Sequence, residues 1–303
     1  MIIRERPEKY ERRDSDMIIG GNRAEVVQNI RKNAENGDYN LKTEVDDPSI
    51  TAEQKTELAL RYANSQGTVG YWLKNRLAMA FLYVFDFLLN RSTRVEGLEN
   101  LDGVRGGAIV TSNHFNQLDN TVVRETMRRG GQGRMYTVVQ ETNLAMTGFL
   151  GFIMNYMDNI PITKSKKYTS EFFEPEIARL LARGDKILIY PEQEMWFNYR
   201  KPRPPKRGAY YYAALNNVPV ISCFVEIQDQ PQQETEEFYR TRWVMHVLPT
   251  IYPDPQKDVR TNSLEMMDRD YRQKTAAYEA AYGKKLTYAS EQGDVAGWIA
   301  KEA

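Results

Sequence analysis

His114 and Asp119, in the segment Ile109-Val-Thr-Ser-Asn-His-Phe-Asn-Gln-Leu-Asp119, set an imidazole and a carboxylate five residues apart. A carboxylate that accepts from one ring nitrogen fixes the tautomer and leaves the other nitrogen able to take a proton. That is the logic of a Ser-His-Asp triad without its serine, so the nucleophile would be a hydroxyl or a water belonging to the substrate. A histidine beside an aspartate in a loop is also what a simple hydrogen-bonded cap looks like, and spacing alone leaves both readings open. The chain has only one other histidine, His246. It lies in the alternating run Arg242-Trp-Val-Met-His-Val-Leu248 among apolar neighbours and reads as structural.

The pair needs a particular local structure. Gly107-Ala-Ile-Val-Thr111 is short, apolar and β-branched, which predicts a buried strand, and Thr121 to Arg129 has helical spacing. On one continuous helix residues five apart face different ways, whereas a turn that runs into a helix can aim Asp119 back at His114.

Similar patterns continue along the chain. Strands are expected near Ala108–Thr111, Met135–Gln140, Ile160–Thr163, Ile187–Tyr190, Val218–Ile227 and Trp243–Leu248. Helices are expected near Thr121–Arg129, Thr169–Ala182, Gly208–Asn216 and Ser263–Tyr282. This alternation predicts an α/β fold with a central mixed sheet flanked by helices. Residues 1–69 are polar, with helical patches near Asn22–Asn36 and Thr51–Tyr62 separated by turn-rich stretches that include Asp46-Asp-Pro48, and read as a helical arm. Residues 70–92 are apolar and aromatic but interrupted by Asp86. They fall short of the about 20 mainly apolar residues that span a bilayer, which leaves a helix lying in a membrane surface or a helix covering the sheet. Residues 93–255 form the α/β core of this reading, and 256–303 a C-terminal helical extension.

Composition narrows the function classes. At 303 residues and 41% hydrophobic content the chain can bury a sizeable core. Acidic and basic residues balance at 41 each, so overall charge predicts no nucleic-acid partner. The single cysteine, Cys223, sits in the apolar run Val218-Pro-Val-Ile-Ser-Cys-Phe-Val225, which predicts a buried, inert thiol in a reducing compartment. No Cys/His spacing suits a structural zinc, and no metal or bound cofactor is expected. The opening Met1-Ile-Ile-Arg-Glu-Arg-Pro-Glu-Lys-Tyr-Glu-Arg-Arg13 lacks the apolar stretch of a secretory signal, so a cytoplasmic location is expected.

Four separated segments, in order, carry a family resemblance. They are Asn113-His114-x4-Asp119, preceded by Val95-Glu-Gly-Leu-Glu-Asn-Leu101; Asn159-Ile-Pro-Ile-Thr-Lys164; Ile189-Tyr-Pro-Glu192; and Val218-Pro-Val220. The chain resembles the glycerophospholipid acyltransferases over roughly residues 70–250, especially bacterial 1-acylglycerol-3-phosphate O-acyltransferases, and the ordered set is far more specific than any one motif. The resemblance implies that His114 is the base, that Asp119 orients it, and that an acceptor hydroxyl attacks an acyl thioester on coenzyme A or acyl carrier protein. It further implies work at the inner face of the cell membrane, with a lysolipid, most readily 1-acylglycerol-3-phosphate, as acceptor.

The third segment departs from the family pattern. Where the resembled block reads Phe-Pro-Glu-Gly-Thr-Arg, this chain has Tyr190-Pro-Glu-Gln-Glu-Met195, so the arginine that meets acceptor phosphate is missing. Arg200, Lys201, Arg203, Lys206 and Arg207, on the proline-stiffened loop that follows, are candidate replacements, with Lys164 and Glu192 as further substrate-binding candidates. Two other readings compete: a lipid-binding scaffold without catalysis, and an esterase or thioesterase in which the same base activates water. The absence of a Gly-x-Ser-x-Gly elbow weakens a serine-hydrolase version.

Overall fold

A computed structural model of the chain describes residues 22–45 and 50–299. The opening segment and the Asp46-Asp-Pro48 turn discussed above lie outside the described residues. Three helices come first: α1 (Arg23–Asn36), α2 (Ala52–Ser65) and α3 (Val69–Asn90). The α/β part follows as β1 (Arg94–Glu96), β2 (Ala108–Thr111), α4 (Asp119–Arg129), β3 (Met135–Gln140), α5 (Gly148–Tyr156), β4 (Asn159–Ile162), α6 (Glu174–Arg183) and β5 (Lys186–Leu188). It ends with α7 (Gly208–Leu215), β6 (Val220–Gln233), β7 (Tyr239–Val247) and α8 (Val259–Tyr282).

The seven strands form one sheet in the order β1-β7-β6-β2-β5-β3-β4. All neighbours are parallel except β6 and β7, whose direct connection makes them antiparallel. The sheet is therefore mixed, as the sequence predicts. Parallel strands must return by crossovers, and those crossovers cover both faces. Period-two alternation divides the core accordingly: Ile109, Ile187 and Val220 face a cluster with Ile177, Ala213 and Met266, whereas Val110, Leu188 and Ile221 face one with Val122, Val123 and Met127. At Gly107 a Cβ would stand 2.3 Å from the Leu181 carbonyl oxygen, so only glycine lets α6 pass this close to the entrance of β2.

Caps set the helix limits. The Asp258 side chain accepts from the Thr261 N–H to start α8, and Gly283 ends it in the left-handed region at φ 64°. Thr51 and Gln54 form a reciprocal capping box at α2. Two elements are additional to those the sequence predicts. β1 has three residues, too few for an alternation to register, and is held by parallel pairing to β7. α5 fills the gap between β3 and β4 and packs Ile153 against Ala78 and Leu82 of α3. His246 also differs from expectation: its ring faces Glu226 at 2.9 Å and Glu96 at 3.2 Å, because β1 and β6 flank β7 and present their carboxylates on its face. No described helix is long and apolar enough to cross a membrane.

Candidate active site

β2, β5, β3 and β4 all run parallel, so their C-terminal ends share one edge of the sheet, the usual place for a site in such folds. His114 lies beyond the end of β2. Its strand is anchored on one side by the Asn113 side chain, which donates to the Val225 carbonyl at 3.0 Å and accepts from the Val225 N–H at 2.8 Å, in effect extending the β2–β6 ladder by one rung. The turn then folds back on itself. Asn116 accepts from the Leu118 N–H through its side chain (3.0 Å) and from the Asp119 N–H through its carbonyl (3.1 Å), which starts α4 with Asp119 in the first turn.

This geometry brings the imidazole to the carboxylate. His114 Nδ1 lies 2.7 Å from Asp119 Oδ2, and the same oxygen accepts from the Phe115 and Asn116 N–H groups at 3.0 and 3.2 Å. Asp119 is 2% exposed and the imidazole 22%, so the carboxylate is sealed while the ring reaches solvent. The Nδ1–H of His114 donates to the Asp119 carboxylate, which leaves Nε2 as the acceptor, and Nε2 makes no hydrogen bond to the described residues. Tyr190 completes the cluster. Its ring stacks on the imidazole at 4.0 Å and 13°, and its hydroxyl donates to Asp119 Oδ1 at 2.6 Å. Burial, with the Asp119 charge beside it, pushes the Tyr190 hydroxyl well above the ordinary tyrosine value, so it stays protonated and a donor.

Glu192 and Arg203 hold the turn from behind. Glu192 accepts from the His114 N–H at 3.2 Å and from Arg203 at both its backbone N–H (2.9 Å) and guanidinium Nε (3.0 Å). The Arg203 guanidinium also donates to the carbonyls of His114, Glu194 and Tyr39 and lies over the Trp196 ring at 4.6 Å. Loss of water around this buried guanidinium pulls its pKa down, and the Glu192 carboxylate opposes that loss.

The candidate cations separate into two groups. Arg203 and Lys201 are each 1% exposed in their side chains. Lys201 is spent on Asp294 and the Ala289 carbonyl, both at 2.8 Å. Arg200 pairs with Asp229 at 2.6 Å and donates to the Ile227 and Gly293 carbonyls. These three side chains fasten the loop. Lys206 and Arg207 are exposed, and the Lys206 N–H donates to the Pro191 carbonyl at 2.7 Å, which sets this end of the loop next to Tyr190 and Glu192, just before α7. Lys164 is exposed beyond the end of β4, on the same edge of the sheet.

Sequence reading missed several residues that shape the site. Gln193, standing where the resembled block has glycine, takes φ 69°, and Asn198 takes φ 51°. Glu194 accepts from Gln140 at 2.8 Å, joining the ends of β3 and β5. A strap from the N-terminal region covers the same loop: Asn40 donates to the carbonyls of Glu192 and Pro204, Thr43 to that of Met195, and Trp196 donates to the Leu41 carbonyl at 2.8 Å. Such contacts bridge about 150 residues of sequence and leave no local pattern; the tyrosine at position 190 was the one available signal. Among the described residues no group of three or more His, Cys, Asp or Glu side chains could hold a metal ion.

Residues 92–226 match the protein family described as Acyltransferase. Among solved structures the chain is similar to the 1-acyl-sn-glycerophosphate (LPA) acyltransferase PlsC from Thermotoga maritima, at 16% identity and a TM-score of 0.48, covering 78% of this chain and 99% of that one. No curated protein matches the chain in sequence. The matched segment runs from just before β1 into β6 and contains His114, Asp119, Tyr190, Glu192 and Arg203, and over it the chain is similar to the acyltransferase family.

Proposed function

We propose that the chain is an O-acyltransferase that moves a fatty acyl group from a thioester, on coenzyme A or acyl carrier protein, to the hydroxyl of a lysolipid of the 1-acylglycerol-3-phosphate class. The observation that carries this reading is the 2.7 Å contact between His114 Nδ1 and Asp119, which turns an unbonded Nε2 toward solvent at the edge of the sheet. His114 Nε2 takes the proton of the acceptor hydroxyl as its oxygen attacks the thioester carbonyl. Asp119 stabilises the imidazolium that forms, and the proton then passes to the departing thiolate as the tetrahedral intermediate collapses. Glu192 acts indirectly, by fixing the His114 backbone and Arg203.

For the acceptor phosphate, the ion pairs and hydrogen bonds that hold Arg200, Lys201 and Arg203 leave Lys206 and Arg207 as the favoured contacts, with the first N–H groups of α7 beside them and Lys164 on the neighbouring rim. Membrane contact falls to α3 and α5. Their outward faces present Trp72, Leu77, Phe81 and Val84 together with Phe149 and Leu150, while Lys74 and Arg76 lie near one end where headgroups would be. In this reading residues 70–92 are the surface helix, 93–255 the catalytic core, and the flanking segments its supports.

Mass spectrometry of products from wild type and His114→Ala, given acyl-CoA or acyl carrier protein thioesters with a panel of lysolipids, tests reaction and acceptor together. A His114-dependent diacyl product is expected, with a loss of at least about a thousandfold in the variant. Free fatty acid as the sole product would replace the acceptor hydroxyl with water, and undiminished transfer by His114→Ala would remove the mechanism. Arg207→Ala should raise the KM for a phosphate-bearing acceptor more than that for the donor.

A further inference from the structure

Tyr190 touches both members of the His114–Asp119 pair, through two different parts of its side chain. The ring lies flat on the imidazole at 4.0 Å, and the hydroxyl donates to Asp119 Oδ1 at 2.6 Å, leaving Oδ2 for His114 Nδ1. The aromatic ring alone would account for packing, and phenylalanine, as in the resembled block, would supply it. The hydroxyl adds a third hydrogen-bonded group to the pair. We propose that Tyr190 is a positioning residue that tunes the basicity of His114: its hydroxyl draws charge from the Asp119 carboxylate, and its ring keeps the imidazole in the plane that presents Nε2 to the acceptor. This inference rests on His114 being the base.

The direction of the effect follows from charge. A carboxylate with a donor on Oδ1 holds less negative charge on Oδ2, so it stabilises the imidazolium less, and His114 loses its proton at lower pH. The base is then available in its neutral form further into the acidic range. The other groups facing this cluster are few: Arg124 of α4, itself bonded to Asp86; Cys223 of β6; and the Glu192–Arg203 pair behind the turn. Burial pushes the Cys223 thiol up to about 12, so it remains neutral, and Arg124 is held by its own carboxylate. Asp119 is thus the one charge within hydrogen-bond reach of the Tyr190 hydroxyl.

The two-histidine composition allows a direct test. In protein labelled with isotopic histidine, His114 and His246 give two ring titrations by NMR, assigned with His246→Gln, which lies outside the site. Tyr190→Phe keeps the ring and removes only the hydroxyl. The expected result is a rise in the His114 titration by about half a pH unit, a fraction of the roughly one to two units that a whole charged hydrogen bond would move. The acid limb of kcat/KM should move up equally, and kcat should change less than about tenfold. A His114 titration that stays in place in Tyr190→Phe overturns the proposal, whatever happens to melting temperature. Tyr190→Leu, which also removes the ring, should lose a further ten- to hundredfold in kcat, and full kcat in that variant overturns the ring's part; if it does not fold, the phenylalanine variant alone decides. The titration needs no turnover, so it stands apart from the His114→Ala assay, whose failure would remove the base assignment instead.

Discussion

α3 and α8 are the two longest helices of the described residues, and each buries one stripe with a carboxylate at its middle. On α8 the stripe is Asn262, Met266, Asp270, Lys274 and Tyr278; on α3 it is Asn75, Ala78, Leu82, Asp86 and Asn90. Asp270 meets Lys274 at 2.8 Å, and Asp86 is paired with Arg124. The outward faces are opposite in character. α8 shows Glu265, Asp268, Arg269 and Arg272 to solvent, whereas α3 carries ten of the eighteen exposed large hydrophobic side chains among the described residues. A buried polar stripe therefore does not tell a helix in water from one on another medium; the face turned away from the protein does. α3 is polar inward and apolar outward, the inverse of an ordinary surface helix.

That contrast can be broken at several points. The largest effect is expected in α8, where Asp270 accepts from Thr111 at 3.0 Å, from Lys274 and from Tyr210. Asp270→Ala leaves Lys274 buried without its charge partner and should cost about 3–5 kcal/mol in urea denaturation. A loss below about 1 kcal/mol would mean that the two helices are not equivalent in their buried stripes. The outer face of α3 comes next. Changing Leu77, Phe81 and Val84 together to serine should weaken binding to anionic lipid vesicles by about a hundredfold while lowering the urea midpoint only slightly, because the three side chains are 43% to 59% exposed and the Phe81 ring meets the rings of Phe85 and Phe149. Unfolding of that triple variant at much lower urea would show that the face is covered by protein.

Smaller effects sharpen the comparison. Burial raises the Asp86 carboxyl above its ordinary value against the pull of Arg124. Its folded pKa is the higher one, so its contribution to stability is complete below the unfolded value near 4 and fades as pH rises through the raised value. The stability margin of wild type over Asp86→Asn should accordingly narrow as pH increases from about 4 toward neutrality, in urea titrations at several pH values. Arg272→Ala, on the exposed face of α8 and paired only with Asp268, should change stability by less than about 0.5 kcal/mol.

Much of this was legible in the sequence, for reasons particular to each element. β2 and α4 were readable because apolar periodicity switches from two to 3.6 across the His114 turn, and the mixed sheet follows from the alternation beyond it. α3 was legible as an apolar helix with two open readings, since composition gives its greasiness but its facing depends on Asp158, Arg124 and Thr121 far along the chain. The basic loop misled in a different way. Five cations in eight residues look like one anion site, yet three are matched by carbonyls and carboxylates from 9 to 164 positions away in sequence, and the two that remain exposed share the same composition. Tyr190 stood out only as one atom more than phenylalanine. Its importance lies in where Asp119 Oδ1 is, which no spacing rule supplies.

The fastening of that loop sets a schedule for the chain's birth. Lys201 reaches Asp294, Arg200 the Gly293 carbonyl, and Tyr288 donates to the Pro202 carbonyl at 2.6 Å, while Arg203 in the same loop backs His114. Synthesis runs from N- to C-terminus, so when β2, α4 and β5 emerge from a ribosome the segment that pins the loop has not yet been made. The pair at positions 114 and 119 can form early, but the wall behind it is completed by residues made 86 to 93 positions after the loop itself. A nascent chain therefore carries the chemistry in outline before the residues that fasten its wall have been made.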